Sequence, residues 1–506
     1  MNERVPEHQC EWQAEAVMLR ARVAELELIA GRVAELEPIA ARVVELEPLA
    51  AKVADLDHQL DILKRQLFGK KSEKQLAPYK PPRPPADPVA TQKKRHDNAA
   101  ARDSLPTDDI VHPVPPQACA CPKCGGVVDR PMPPKISEEI ELVEAHFRRR
   151  RHIREVMACR CGQYIAEAPA PPRVFEGCHY GPTTCAHAIV AKCCDALPLY
   201  RLSKMFARVG VAISDRTLGD LFHRCAHELK PIWVRLMELI AQSDLVLADE
   251  TPVPVMAKDK TKRAYMWTFL AALMIGFRFS PSRSGETPRD VLGATTGTLV
   301  VDAYTGYNSV CTVEQRERAG CLAHMRRKFA DSRKNDPVAA AKALELILDV
   351  YLVEHEATAL GIVRTPAHRD LRQRKSKPAM DKLRAWLDEQ SPQHLPQSPM
   401  GKAISYAINQ WPALIVFLTN PAVPVDNNAS ERALRIVALG RKNWMFVGND
   451  VAGENMAVLM SLVRTCEAMD VNPQAYLADV LMRVGSHPQA RIDELLPQNW
   501  RPAAAA

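Results

Sequence analysis

Two runs, SDLVLADETPVPV at 243–255 and GTLVVDAYTGYN at 297–308, each lead an apolar stretch directly into an acidic residue. Unbroken Val, Leu and Ala bounded by turn residues suit strands covered on both faces, as in an α/β sheet. The first run ends on Asp249 and Glu250, the second on Asp302. AYMWTFLAALMIG and FRFSPSRSG, between them, read as two further strands. An acidic residue at the end of a buried strand is common in any α/β protein, so either Asp alone is ordinary.

The stretch VDNNASERALRIVALGRKNWMFVG at 425–448 alters that reading. Glu431 opens an apolar helical pattern there. Asn428-Ala-Ser-Glu431 has the spacing of a capping box, so Glu431 reads either as a helix cap or as the third member of a carboxylate set. Two strand-end Asp residues and a helix-start Glu make an all-oxygen donor set, which suits Mg²⁺ or Mn²⁺. Two such ions about 3.5 to 4 Å apart activate a water or a 3′-hydroxyl and stabilise the leaving oxygen of a phosphodiester. The gap from Asp302 to Glu431 exceeds what a strand-to-helix connection needs. From about Asn335 to Leu418 the pattern is helical with Pro-bearing breaks, which reads as an insertion.

Upstream, residues 22–61 carry a ten-residue repeat (RVAELELIAG, RVAELEPIAA, RVVELEPLAA, KVADLDHQLD). Val33, Leu36 and Ile39 share one helical face, but a continuous coiled coil needs a seven- or eleven-residue period. Pro38 and Pro48 also interrupt the backbone ladder. Short or kinked amphipathic helices that self-associate follow. Cys121 and Cys124 in CPKCGG, then Cys159 and Cys161 in CRCG, look like the two knuckles of a zinc ribbon, with Cys119 as a spare. The second pair has one intervening residue rather than two. LPLYRLSKMFARVGVAISDRTLGDLFHRC at 197–225 reads as a helix-turn-helix: a first helix ending near Arg208, a turn at Gly210, and Ser214 or Asp215 capping a second helix with Leu218, Leu221 and Phe222 inward.

At 506 residues the chain suits about three or more folded units. Its charge of +7 is modest but clustered. Eleven Lys/Arg face three Asp/Glu from Lys64 to Arg102, and HFRRRRHIR spans 146–154; such clusters mark polyanion contact or a solvated surface. The first residues lack a signal-peptide pattern, and the longest apolar stretch, around 266–277, is too short to span a bilayer. Fourteen Cys without an export signal favour metal binding or buried thiols over disulfides, and the chain reads as cytosolic.

These motifs, in order, resemble one family: insertion-sequence-66 transposases. The resemblance runs through QLFGKKSEK, CPKCGG, PLYRLSKMFARVGVAISDRTL, ADETPVPV, VDAYTGYN, GCLAHMRRKFAD, GKAISYAINQW, VDNNASERALR, GRKNWMFVGND, NPQAYLADVL and LLPQNW. It implies a DDE triad, Asp249, Asp302 and Glu431, holding Mg²⁺ or Mn²⁺ on an RNase-H-like core. It also implies a zinc module, cleavage at the element's terminal inverted repeats and strand transfer into target DNA. A homo-oligomer, two small accessory proteins of the same element and a nucleoid location are implied as partners and place. Arg326 and Arg327, and Arg432, Arg435, Arg441 and Lys442 beside the third carboxylate, gather positive charge where DNA phosphates would approach. Trp444 reads as core or as a base-stacking platform, and Cys321 with His324 as a polar pair near the phosphate path or a second metal pair.

The expected architecture is multidomain α/β: amphipathic repeat helices (1–76), a Pro-rich basic linker (77–117), a zinc-finger-like module (118–170) and a helix-turn-helix region (171–240). The core's first part (241–334), a helical insertion (335–420), the core's second part (421–468) and a helical tail (469–506) follow. Competing readings are a nuclease that cuts without joining and a catalytically silent end-binding protein. If the repeats drive assembly, a chain lacking residues 1–60 should sediment with fewer subunits per particle than the full chain; an unchanged oligomer would reject that role.

Overall fold

In the computed structural model, residues 15–27, 29, 31–32, 146–158, 165–258 and 260–502 are described. Most of the ten-residue repeat, the basic linker and all four expected zinc ligands, Cys121, Cys124, Cys159 and Cys161, lie outside them. The chain divides into units of residues 1–138 and 139–506. In the first unit, 15–27 is helical and exposed, with Leu19, Val23 and Leu26 open to solvent and an Arg22–Glu25 ion pair of 2.6 Å. Leu19, Val23 and Leu26 recur at helical spacing, an apolar stripe that meets no partner among the described residues.

The second unit opens with a small antiparallel pair, β1 (Val156–Ala158) and β2 (Ile165–Glu167). Helices α1 (Pro182–Cys193), α2 (Leu199–Arg208) and α3 (Asp215–Gln242) follow. Gly210 makes the turn between α2 and α3 at φ +87°, a conformation that costs a glycine little. Ser214 caps α3 by accepting from the Thr217 amide at 3.0 Å, and Leu218, Leu221 and Phe222 are buried. The second helix is far longer than a helix-turn-helix requires. It runs on to Gln242 because its apolar face, from Leu229 through Ile240, covers the sheet, where Trp233 donates to the Phe277 carbonyl at 3.2 Å.

That sheet contains β3 (Leu245–Met256), β4 (Thr261–Ala271), β5 (Met274–Ser280), β6 (Gly297–Val300) and β7 (Arg316–Ala319), in the order β5-β4-β3-β6-β7. The β3–β4 and β4–β5 pairs are antiparallel, while β3–β6 and β6–β7 are parallel. Three details depart from the sequence reading. Strand β3 does not end on Asp249 and Glu250 but pairs on with β4 through Met256, so Asp249 is interior to the strand. The hairpin between β4 and β5 turns at Ala272, with φ +51°, inside AYMWTFLAALMIG, so that run supplies two strands rather than one. Strand β7, RERA, offers no apolar run at all. Its Arg316 is 1% exposed and donates to the carbonyls of Ala241 (2.5 Å) and Ser243 (3.0 Å) and to the Thr295 hydroxyl (3.0 Å).

After α4 (Glu286–Leu292) and α5 (Leu322–Ser332), the chain between β7 and the last sheet-covering helices is helical. It comprises α6 (Pro337–Ala359), α7 (Pro366–Leu371), α8 (Lys377–Gln390), α9 (Pro399–Asn409) and the single turn α10 (Trp411–Leu414). Arg372 ties this insertion together from a π-helical turn. It grips Glu354 with two bonds of 2.7 and 2.8 Å and the carbonyls of Phe417, Asn420 and Val423 with three more. Helices α11 (Asn428–Trp444), α12 (Asp450–Ala468) and α13 (Pro473–Arg483) complete the unit. Among the described residues no helix is long and apolar enough to cross a membrane.

Helix α12 closes the free edge of the sheet. Gly453, Ala457, Ser461 and Thr465, four apart, present one small-residue face to β5. A Cβ on Gly453 would run into the Phe279 ring, so the approach needs glycine there. Ser461 accepts from the Phe277 amide at 2.7 Å, and Thr465 accepts from the Ile275 amide at 3.0 Å and donates to its carbonyl at 3.1 Å. The hydroxyls thus satisfy edge groups that would otherwise template another strand. Ser461→Ala strands the buried Phe277 amide and should lower unfolding free energy by about 1 to 3 kcal/mol in denaturant titration; an unchanged midpoint would show that the edge is satisfied another way.

Candidate metal centre

Strand register brings the two aspartates together. Leu245 pairs with Thr298, Val246 with Leu299 and Leu247 with Val300. Carried two residues further along both chains, that parallel register sets Asp249 opposite Asp302, and equal parity points both side chains to one face of the sheet. Asp249 thus lies inside β3, two residues past its last pairing with β6, while Asp302 follows the end of β6, and the charge of Asp302 acts on the Asp249 carboxyl. Asp249 accepts from the Glu250 amide at 2.8 Å, and Asp302 accepts from the Tyr304 amide at 2.9 Å, opening the turn Thr305–Ser309.

Glu431 comes from α11, which packs across β3 and β4. The start of that helix is fastened to the strand carrying Asp249. Asn427, 1% exposed, donates from Nδ2 to the Ala248 carbonyl at 2.7 Å, and its amide donates to Cys321 Sγ at 3.2 Å. Sequence reasoning passed over Asn427; the paired Asn ahead of the helix was the available signal. The capping-box geometry is not formed. The helix begins at Asn428 behind an Asn427 N-cap with no side-chain cap bond, which places Glu431 one position too late. Its carboxylate instead lies 3.8 Å from His324 Nε2 and 3.6 Å from Arg327 Nη2, and Oε1 is buried without a hydrogen-bond partner.

Glu250, beside Asp249, has a different role. Its side chain is 2% exposed, ion-paired to Arg283 at 2.5 Å and bonded by the Tyr307 hydroxyl at 2.6 Å. Arg283 in turn stacks 4.0 Å from the Tyr304 ring. Glu250 is therefore consumed by structure. Burial first, then the charge of Glu250, push the Asp249 carboxyl up to about 7; Asp302 and Glu431 push the same way, against the Glu250 amide. A cation placed there would relieve that accumulated charge, and the orphaned oxygen of Glu431 is a donor without an occupation. The oxygen-only set fits a hard divalent ion. In the present side-chain positions, no three His, Cys, Asp or Glu among the described residues close to coordination range.

The basic residues separate into two groups. Arg326 and Arg327 on α5, and Arg432, Arg435 and Lys442 on α11, are exposed. Arg441 is not free: its guanidinium donates to the Pro252 carbonyl and clamps α11 to β3. Trp444 packs partly buried against the core, with Lys192 Nζ 5.7 Å from its ring. Cys321 is fully buried, its thiol pushed up to about 11 chiefly by burial, and it serves as an acceptor rather than a ligand.

The raised Asp249 carboxyl carries a pH dependence. An unfolded Asp releases its proton near pH 4, whereas the folded protein retains it up to about 7. Between these values the folded state binds more protons, so this contribution to stability is present below about pH 4 and is lost as pH rises toward 7. Without divalent metal, Asp249→Asn should flatten that decline in denaturant midpoints; an equally steep decline would assign it to another group.

Three family models match the chain: "Transposase IS66 family" over residues 177–455, "IS66 C-terminal element" over 461–498, and "zinc-finger binding domain of transposase IS66" over 118–162. Among curated relatives, uncharacterized protein y4jD of Sinorhizobium fredii (strain NBRC 101917 / NGR234) is 35% identical over 418 residues, 78% of this chain and 81% of the relative. Uncharacterized protein y4hP of the same strain is 31% identical over 418 residues, 78% of this chain and 75% of the relative. One model extends unbroken from the loop before α1, through Asp249, Asp302 and Glu431, into α12, and so the chain belongs to the IS66 family of transposases.

Proposed function

We propose that the chain is a DDE-type DNA transposase. The observation that supports this reading is the gathering of Asp302 and Glu431 about Asp249, whose carboxyl both charges push up, with the start of α11 anchored to the Ala248 carbonyl through Asn427. The sheet order, with β3, β6 and β7 parallel and β4 antiparallel between β3 and β5, supports an RNase-H-like core interrupted by the α6–α10 insertion.

Asp249, Asp302 and Glu431 are the oxygen donors of the site, and Arg283 with Tyr307 holds Glu250 out of it. Mg²⁺ or Mn²⁺, when bound, supplies the positive charge that activates a water or 3′-hydroxyl and stabilises the leaving oxygen. Arg326, Arg327, Arg432, Arg435 and Lys442 meet the phosphates of the element ends and of target DNA, while Arg441 positions α11. Hydrolysis at the ends frees 3′-hydroxyls, which attack target DNA by in-line displacement. Cys121, Cys124, Cys159 and Cys161 hold Zn²⁺ in the module matched at 118–162. The exposed stripe Leu19, Val23 and Leu26 supports self-association through the N-terminal helices. The setting is cytoplasmic, at the nucleoid, with the element's two small proteins as accessory partners.

Transposition frequency from a complete element, with Glu431→Gln at matched protein level, tests the reading. Gln keeps the shape and removes the charge; losing several kcal/mol of charge stabilisation should lower movement by more than about 100-fold. Undiminished movement would remove Glu431 from the site. Retained end binding without cleavage by the wild-type chain would favour the silent end-binding reading.

A further inference from the structure

Residues 146–155 form a strap with no helix, strand, turn or bend in it, exposed throughout except at Phe147. Phe147 fastens one end: its ring meets Phe206 of α2 edge-on, with centroids 5.0 Å apart and planes at 88°. The other end is held by the β1–β2 pair, where the Ala168 amide donates to the Glu155 carbonyl at 3.0 Å. Between these anchors stand Arg148, Arg149, Arg150 and Arg151. Beside the first anchor, α2 turns Arg201, Lys204 and Arg208 outward, three and four residues apart on one face. Among the described residues none of these seven cations is ion-paired. Their mutual repulsion leaves a surface that calls for a polyanion.

The geometry favours one polyanion over others. An extended chain advances about 3.3 Å per residue and sends alternate side chains to opposite sides. Four arginines therefore cover roughly 13 Å and face both walls of a slot such as the DNA minor groove, about 6 Å wide. Arginine is drawn into that groove where A·T pairs narrow it and deepen its negative potential. A strap leading away from a helix pair is also placed to enter the minor groove next to the groove segment that the pair grips. We propose that residues 148–151 read the minor groove of A·T-rich duplex DNA beside the stretch of backbone met by Arg201, Lys204 and Arg208 of α2. This rests on the chain acting on DNA, but it requires none of the carboxylates.

The test is fluorescence anisotropy of the full-length protein without added Mg²⁺ or Mn²⁺ on three duplexes of about 30 base pairs, made of A·T, I·C or G·C pairs. I·C shares the minor-groove edge of A·T and the major-groove pattern of G·C. Wild type should bind A·T and I·C about tenfold more tightly than G·C. In the variant carrying Arg148→Gln, Arg149→Gln, Arg150→Gln and Arg151→Gln, that preference should vanish, and the slope of log affinity against log salt should fall by about 3 to 4. The substituted side chains are exposed, and an unchanged melting temperature would verify folding. Equal wild-type binding to all three duplexes, a preference for A·T over both others, or a variant that keeps the preference would each overturn the proposal. None of these outcomes bears on Glu431, whose variant is read by transposition.

Discussion

The bond from Asn427 Nδ2 to the Ala248 carbonyl joins the two halves of the candidate centre. Without it, α11 would begin at an arbitrary height above β3, since the α6–α10 insertion separates it in sequence from the strands. With it, the first turn of α11 is fixed one residue from Asp249. The Asn427 amide on Cys321 and the Leu322 amide on the Val425 carbonyl fasten the same segment to the start of α5. Farther along, Arg441 on Pro252 and the Val447 amide on the Pro254 carbonyl hold the end of α11 to the same strand. The helix is thus pinned to β3 at both ends, and Glu431 inherits its position from backbone acceptors.

That rigidity maintains an arrangement that electrostatics opposes. Four carboxylates gather near one strand end, and only Glu250 has a cation and a hydroxyl in close contact. Asp249 is left with burial and like charge, which is why its carboxyl titrates near neutrality. Uncompensated carboxylate charge of this kind is the arrangement a divalent cation would relieve. The edge strand shows the opposite arrangement: Ser461 and Thr465 satisfy the backbone groups of Phe277 and Ile275 there.

Much of this was readable in one dimension. Apolar runs ending in Asp, the Gly210 turn and the Ser214 cap are local signals, and local signals survive translation into structure because each depends on residues within a turn of one another. The long second helix of the pair, the β4–β5 turn at Ala272 and strand β7 were not readable. Ala272 takes its left-handed conformation because the two strands it joins pair, and RERA becomes a strand because β6 and the carbonyls around Arg316 receive it. In each case a partner distant in sequence overrides the local preference.

Glu431 shows the division most clearly. The residues around it specified a helix start and an acidic side chain, and these fitted a cap as well as a metal ligand. An α/β chain whose apolar runs lead into Asp249 and Asp302, a basic helix after Glu431 and a helical segment between them were legible in the residues alone. That β3 and β6 are adjacent and in parallel register, that Glu250 is occupied by Arg283 and Tyr307, and that Glu431 is no cap came from the fold. Register and helix placement are settled by hydrogen bonds between distant segments, and no local pattern of side chains encodes which segments will meet.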